Sequence, residues 1–423
     1  MEAIILAGGL GTRLRSAVSD LPKCLAPIRN GSQPFLFFLL EELGRQGVSR
    51  VILSVGYMRE AVMEWMASGE WPFEVDYAVE ESPLGTGGAI RLALSMAREE
   101  RVLVLNGDTF FQVPSLKALL SVDAPIALAL KPMRDFDRYG EVEISPRASL
   151  GRDDSPVIPS DPSVIPSEVE GSSSCPANAG HLVVTAFREK CFCREGLING
   201  GVYAVDRGLF EGMDLPEKFS FEKAVLEPFA ARGQVRGLVS DGYFIDIGVP
   251  EDYARARQEL PELQRVLRAY SLALATPDSD ALFLDRDGVI NRWLPGDYVK
   301  RWEEFVFLPG VLQMLSRCAG HFRHIIIVSN QRGVGRGRMS REALDAIHQR
   351  MVEEIERAGG RIDAIYVSTA IADDDPSRKP QPGMFLEACR DYPDIRPERS
   401  LMMGDSDSDA AFAAACGMSY IRV

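Results

Sequence analysis

Short apolar runs alternate with longer mixed segments through the first quarter of the chain. Strand-like runs occupy residues 3–6, 50–55, 73–79 and 101–105, and helix-like segments occupy residues 34–47 and 60–66. Strands that alternate with helices predict a parallel sheet covered by helices on both faces.

The same alternation resumes after a long helical segment. Residues 251–274 carry apolar side chains at helical spacing, and residues 276–280 break the pattern with polar residues and a proline. Apolar strands follow at residues 281–284, 325–328 and 401–403. The pattern predicts an α/β protein of two doubly wound parallel-sheet domains, residues 1–255 and 280–423, joined by a helical linker at residues 256–279.

A Pro/Ser-rich tract interrupts the first domain at about residues 150–178. Residues 155–161 are nearly repeated as residues 162–168, and both copies have few large apolar side chains. Such a composition cannot form a packed core, so we interpret the tract as a disordered insertion without a catalytic role.

Composition narrows the functional classes. The 423 residues carry a formal net charge of −14, so the chain has no basic excess for nucleic-acid binding. No apolar run approaches the ~20 residues of a membrane span, and no export signal is evident, so we expect a cytoplasmic protein with no membrane partner. The seven cysteines form no disulfide framework or four-ligand zinc pattern.

The first strand runs into a glycine-rich turn with the residues of a phosphate site. Gly8, Gly9 and Gly11 allow backbone N–H groups to approach phosphate oxygens, and Thr12 adds a hydroxyl group. The cations Arg13 and Lys23 follow. The turn matches neither the dinucleotide fingerprint nor the P-loop. On its own, it also suits an ordinary strand-to-helix turn.

Further polar residues follow later strands of the first domain. Asp108 and Asp246 each end an apolar run, a position that suits either a divalent cation or a simple turn. Lys190 suits a phosphate, whereas Glu189 and Asn199 suit sugar hydroxyl groups, although Glu189 and Lys190 also suit a solvated pair. The other candidates are the glycine turns at Gly85-Thr86 and Gly140.

The first domain resembles the sugar-1-phosphate nucleotidyltransferases. The residues that carry the resemblance are 6–27, 83–89, 106–111, 196–203 and 243–253. Within this family the domain is most similar to the guanylyltransferases of D-glycero-D-manno-heptose 1-phosphate. The resemblance implies a Rossmann-like domain in which the first loop holds the triphosphate of GTP or another NTP. It places Gly85 and Thr86 at the base, the sugar phosphate near Gly140, Glu189, Lys190 and Asn199, and Mg²⁺ on Asp108 and Asp246.

The second domain opens with Asp285 and Asp287 directly after a strand. Two carboxylates so close together are costly without a cation nearby. Ser329 and Asn330 end the next strand, Lys379 follows in an Arg-Lys-Pro string, and Asp405 follows the last apolar run. This order resembles the haloacid-dehalogenase-type (HAD) phosphatases.

The HAD resemblance implies a role for each motif. Asp285 would attack phosphorus, Asp287 would protonate the departing oxygen and later deprotonate water, and Lys379 would offset phosphate charge. Mg²⁺ would be held by Asp285, Asp287 and Asp405.

Within the HAD phosphatases, the second domain is similar to the heptose-1,7-bisphosphate phosphatases and the related histidinol phosphatases. The similarity lies in residues 307–311, 330–337 and 378–380. Arg336 and Arg378 suit the second phosphate of such a substrate, or simply face solvent. Residues 368–377 lack the Cys and His of the zinc loop that many members carry, so we expect no zinc.

Together the resemblances imply a fusion enzyme for heptose phosphates. The second domain would remove the 7-phosphate of a heptose bisphosphate, and the first would convert the remaining 1-phosphate to GDP-heptose. One alternative is a mannose or glucose 1-phosphate nucleotidyltransferase fused to a histidinol-phosphatase-like or other phosphatase. Another is a non-enzymatic sensor, against which the complete set of HAD motif residues argues.

Deleting residues 153–176 is expected to leave both activities intact, because the tract lacks catalytic residue types. Phosphate release and nucleotide-sugar formation by the purified deletion variant test this. A deletion variant that folds but is inactive would contradict it.

Overall fold

The computed structural model describes residues 1–9, 14, 17–18, 20–29, 33–145, 181–277 and 279–423. The predicted insertion at residues 150–178 lies outside the described residues. The chain divides into two compact units, with the division between Gln258 and Glu259. The domain boundaries drawn from the sequence stay a prediction. In the described part of the chain, no helix is both long and apolar enough to cross a membrane.

The first unit is built on a sheet of nine described strands. The strands are β1 (Glu2–Leu6), β4 (Arg50–Val55), β5 (Glu74–Val79), β6 (Arg101–Asn106), β8 (Ile126–Phe136), β9 (Val142–Ile144), β10 (Leu182–Phe187), β11 (Cys193–Asp206) and β12 (Val235–Val239). In spatial order these strands are β5, β4, β1, β6, β11, β8, β12, β10 and β9.

Two small antiparallel sheets and several helices complete the first unit. The small sheets pair β2 (Pro27–Arg29) with β3 (Gln33–Pro34) and β7 (Thr109–Phe111) with β13 (Phe244–Asp246). The helices are α1 (Phe35–Arg45), α2 (Arg59–Ala67), α3 (Gly85–Leu94), α4 (Leu116–Leu120), α5 (Glu227–Ala231), and the start of α6 (Pro250–Ala275), with a π-helical turn at Glu222–Leu226.

The first sheet is mixed, whereas the sequence pattern predicted parallel strands. Strands β5, β4, β1 and β6 are parallel, but β11 runs antiparallel to both β6 and β8. The alternation of strands and helices correctly predicts the parallel arrangement of these four strands, but it does not predict the antiparallel strand β11. The α/β class is confirmed.

The second unit has a parallel sheet of five strands among the described residues, namely β14 (Ala281–Leu284), β15 (His324–Asn330), β16 (Ala364–Ser368), β17 (Ser400–Gly404) and β18 (Ser419–Arg422). In spatial order these strands are β16, β15, β14, β17 and β18. The helices are α7 (Val311–Ala319), α8 (Arg332–Gly335), α9 (Arg341–Arg357), α10 (Gly383–Asp391) and α11 (Asp407–Cys416), together with the end of α6. Ala281, Phe283, Ile326 and Met402 form part of a buried core cluster on one face of the sheet.

The carboxyl ends of neighbouring parallel strands bring the polar motifs together. In the first unit, β1 and β6 are adjacent and lead to the glycine turn and to Asp108. A Cβ atom at Gly107 would lie 2.5 Å from the carbonyl oxygen of Leu6, so only glycine allows this approach. In the second unit, adjacent strands β14 and β17 lead to Asp285 and Asp405.

Leu401→Ala is expected to destabilise the second unit by about 2–5 kcal/mol, because the side chain is buried in the interior strand β17. Leu386→Ala removes the same atoms from an exposed position on α10 and should change stability by less than ~0.5 kcal/mol. Urea unfolding monitored by circular dichroism compares the two. Equal losses would show that burial in this sheet does not determine stability.

Candidate active sites

A cavity of about 650 Å³ lies at the carboxyl ends of β1 and β6. Its lining includes six of the residues that the sequence selected, namely Gly8, Gly9, Lys23, Gly85, Thr86 and Asp108. The other predicted phosphate-loop residues, Gly11, Thr12 and Arg13, lie outside the described residues. A Cβ atom at Gly8 would approach Glu80 Oε1 to 2.5 Å, so the loop backbone packs directly against this carboxylate.

Lys23 links the two predicted metal-binding aspartates of the first unit. Its Nζ atom lies 2.5 Å from Asp108 Oδ2 and 3.7 Å from Asp246 Oδ1. Asp246 reaches this place because β13 pairs antiparallel with β7, which aligns Asp246 with Thr109. Burial and the nearby Asp108 raise the pKa of Asp246, although Lys23 opposes this rise. The two carboxylates therefore form one site with a surplus of negative charge, which suits a divalent cation.

A second cavity, of about 610 Å³, adjoins Asp246 and collects the predicted sugar-phosphate residues. Gly140, Glu189, Lys190 and Asn199 all contribute to its wall. Asn199 Nδ2 donates a hydrogen bond to the Tyr203 hydroxyl group (2.8 Å), and its Oδ1 accepts one from the Gly201 N–H (3.0 Å). These bonds fix the amide at the irregularity in β11, between Asn199 and Tyr203.

Glu222, which the sequence analysis did not select, lines both cavities of the first unit. Its Oε2 atom accepts hydrogen bonds from Thr86 Oγ1 (2.8 Å) and Ser220 Oγ (2.6 Å). Glu222 begins the π-helical turn, a geometry common at functional sites. No glycine turn or apolar strand marks this position in the sequence, so only tertiary structure reveals it.

Three carboxylates converge in the second unit. Oxygen atoms of Asp285, Asp405 and Asp409 lie within 4.8 Å of one another, and no other such group of acids, histidines or cysteines occurs among the described residues. Lys379 Nζ lies 2.9 Å from Asp285 Oδ1 and 2.6 Å from Asp409 Oδ1. The oxygen ligands and their close spacing fit Mg²⁺.

Burial disfavours the charged forms of the carboxylates in this group. Desolvation, together with the neighbouring Asp409, raises the pKa of both Asp285 and Asp405. Although burial opposes it, the charges of Asp285 and Asp409 raise the pKa of Lys379, so the ammonium group stays protonated. Asp409 is also held by helix α11, because its Oδ2 accepts hydrogen bonds from the Ser406 backbone and hydroxyl group. Asp407, two residues earlier in the chain, is 96% exposed.

Asp287 lies beside this group of three carboxylates, and its role in holding a metal stays a prediction. Both of its oxygens accept bonds from Arg286 (2.8–2.9 Å), and Asn291 and Gln331 donate one further bond each (2.9 Å). Burial alone would raise its pKa, but Arg286 and the other donors lower it. These donors favour the carboxylate form of Asp287 in the ligand-free protein.

Arg286 and His348 were not selected from the sequence, although they support Asp287. Arg286 is fully buried, and its Nη1 atom lies 3.2 Å from Nε2 of His348 on helix α9. Burial and the charge of Arg286 lower the pKa of His348 to about 3, so the imidazole is neutral. Neutral Nε2 accepts the guanidinium hydrogen, which satisfies the buried arginine.

The remaining phosphatase candidates divide into two groups. Ser329, Asn330, Arg378 and Lys379 line a cavity of about 390 Å³ with Asp285, Asp287 and Asp405. Asn330 exchanges hydrogen bonds with the Lys379 backbone and so positions the lysine (3.0 and 3.1 Å). Arg336 does not line this cavity, because its Nη1 donates instead to the hydroxyl group of Tyr298 (3.1 Å), a residue of the cavity wall.

Comparison with known proteins finds a different family in each of the two units. The nucleotidyl transferase family matches residues 2–262, and the HAD-hydrolase-like family matches residues 376–423. The chain is 43% identical to a D-glycero-alpha-D-manno-heptose 1-phosphate guanylyltransferase of Aneurinibacillus thermoaerophilus, over 62% of this chain and 98% of the relative.

A different relative matches the second unit. It is a D-glycero-alpha-D-manno-heptose-1,7-bisphosphate 7-phosphatase of Mycobacterium bovis, 41% identical over 33% of this chain and 78% of the relative. A solved D,D-heptose 1,7-bisphosphate phosphatase of B. bronchiseptica, crystallised with magnesium and phosphate, is 34% identical over 33% of this chain and 78% of its own, with a TM-score of 0.32. The chain therefore belongs to the nucleotidyl transferase family, and its C-terminal region is HAD-like and related to the heptose bisphosphate 7-phosphatases.

Proposed function

We propose that the chain is a bifunctional enzyme of nucleotide-sugar biosynthesis. Its C-terminal unit hydrolyses the 7-phosphate of D-glycero-D-manno-heptose 1,7-bisphosphate, and its N-terminal unit transfers GMP from GTP to the heptose 1-phosphate. The observation that carries the proposal is a cluster of acids bridged by lysine in each unit, within regions that match two relatives over 98% and 78% of their lengths. The two relatives act on successive forms of one sugar.

In the phosphatase unit, Asp285 Oδ attacks phosphorus while the bond from phosphorus to the sugar oxygen breaks. The negative charge of the bound phosphate raises the pKa of Asp287 above its value in the ligand-free protein, so Asp287 takes up a proton on substrate binding. Asp287 donates this proton to the departing oxygen, and an aspartyl-phosphate remains on Asp285. Asp287 then removes a proton from water as the water attacks phosphorus, which releases inorganic phosphate and restores both side chains. The hydrogen bonds that lower the pKa of Asp287 keep it in the carboxylate form that this second step requires.

Charge neutralisation is the main requirement of that reaction, since a phosphate dianion repels a carboxylate. Lys379 stays protonated beside Asp285 and offsets this repulsion. Asp285 and Asp405 would hold Mg²⁺, which when bound neutralises further charge on the phosphate. Ser329 and Asn330 lie in the same cavity and suit the phosphoryl oxygens.

In the nucleotidyltransferase unit, an oxygen of the sugar 1-phosphate attacks the α-phosphorus of GTP. The α–β phosphoanhydride bond breaks, so GDP-heptose forms and pyrophosphate leaves. Lys23 and Arg13 offset phosphate charge, and Asp108 with Asp246 would hold Mg²⁺. The Gly8–Gly9 and Gly85–Thr86 turns line the nucleotide side of the site, and Glu189, Lys190 and Asn199 line the adjoining sugar side.

Asp285→Asn is expected to lower phosphate release from the bisphosphate by at least ~10³-fold, because the nucleophile is lost. GDP-heptose formation from supplied heptose 1-phosphate should be unchanged. Asp407→Asn, a change of the same type at an exposed position, is the control and should retain phosphate release. Substantial turnover by a folded Asp285→Asn variant would refute the nucleophile assignment.

Asp246→Asn is expected to impair nucleotidyl transfer and to leave phosphatase activity intact, the reverse of Asp285→Asn. It weakens the acidic site beside Lys23, so pyrophosphate release with GTP and heptose 1-phosphate should fall by about 10²-fold. Release of the 7-phosphate should persist. Asp241→Asn, which alters an exposed ion pair with Lys131, serves as the control. Equal pyrophosphate release by the two variants would remove Asp246 from the proposed site.

A further inference from the structure

An acidic side chain bridges two arginines beside the phosphatase cavity. Asp373 Oδ1 pairs with Nη2 of Arg332 and lies 3.5 Å from Nε of Arg378. Arg378 lines the cavity that contains Asp285, and it directly precedes Lys379. Asp373 belongs to the segment at residues 368–377, which has no Cys or His.

The three side chains differ sharply in their exposure to solvent. Asp373 is 86% exposed, whereas the side chains of Arg332 and Arg378 are 21% and 14% exposed. Arg332 Nε and Arg378 Nη1 are buried and have no hydrogen-bond partner among the described residues. Guanidinium groups rarely leave buried donors unused, so this pair has capacity for a further oxygen-rich ligand.

The charges at this place are also unbalanced. Two arginines share one exposed carboxylate, and burial together with the charge of Arg332 lowers the pKa of Arg378. A phosphate dianion carries more charge and more acceptor oxygens than a carboxylate, and it fits guanidinium forks well. An exposed ion pair is worth only about 0.2–1 kcal/mol, so such an anion can displace Asp373 at little cost.

We propose that Asp373 is a specificity-determining residue, which occupies the Arg332–Arg378 pair until the second phosphate of the substrate displaces it. The inference rests on the proposed phosphatase function. It assigns the second-phosphate contact to Arg332 and Arg378, whereas the sequence pattern suggested Arg336 and Arg378. The Asp373 carboxylate competes with any anion for the two arginines. A sugar whose single phosphate lies at the reacting position has no second phosphate to displace Asp373, so it gains no binding energy from Arg332 and Arg378.

The test compares a heptose 1,7-bisphosphate with the same sugar carrying only its 7-phosphate, both with Mg²⁺. The measured quantity is the ratio of kcat/KM for the bisphosphate to kcat/KM for the monophosphate. Asp373→Asn removes the competing charge and should raise this ratio about two- to fivefold, mainly through KM for the bisphosphate. Arg332→Met removes one guanidinium group and should lower the ratio.

Asp374→Asn is the matched control, because it removes an identical charge one residue away. A ratio that rises equally in Asp373→Asn and Asp374→Asn would reflect general charge and overturn the inference, as would an unchanged ratio in Asp373→Asn. A wild-type protein that does not hydrolyse the bisphosphate would overturn the proposed function and the inference together. Normal wild-type turnover with an unchanged ratio would overturn the inference alone.

Discussion

Repulsion between closely spaced carboxylates is the constraint on which both units depend. Each unit directs at least two aspartates into one space and places a lysine ammonium group between two of them. Lys23 bridges Asp108 and Asp246, and Lys379 bridges Asp285 and Asp409. Desolvation and the neighbouring carboxylates raise the pKa of Asp246 in the first unit and of Asp285 in the second, and the lysine in each site opposes this rise.

The two units reach this arrangement by different topologies. In the second, adjacent parallel strands β14 and β17 end in Asp285 and Asp405, and the capped start of helix α11 adds Asp409. In the first, Asp246 approaches Asp108 through the small antiparallel pair of β7 and β13. The chemistry therefore follows from the local grouping of charges rather than from a shared fold.

Much of this organisation can be predicted from the sequence. The apolar runs predicted β4 and β14 with their observed bounds, and local motifs selected Lys23, Asp285 and Lys379. Periodicity did not predict the antiparallel entry of β11 into the first sheet, since strand direction depends on long-range pairing. Glu222 and His348 were missed for a related reason. Each acts through partners more than 60 residues away in the chain, namely Thr86 and Arg286.

If the two acid–lysine sites act in order on opposite ends of one sugar, the phosphorus products form in a fixed sequence. Phosphorus-31 NMR of the full chain with heptose 1,7-bisphosphate, GTP and Mg²⁺ follows this sequence. We expect inorganic phosphate to appear first, and pyrophosphate and a GDP-sugar without a 7-phosphate to follow. Pyrophosphate that forms without prior phosphate release, or a GDP-sugar that retains its 7-phosphate, would contradict this expectation.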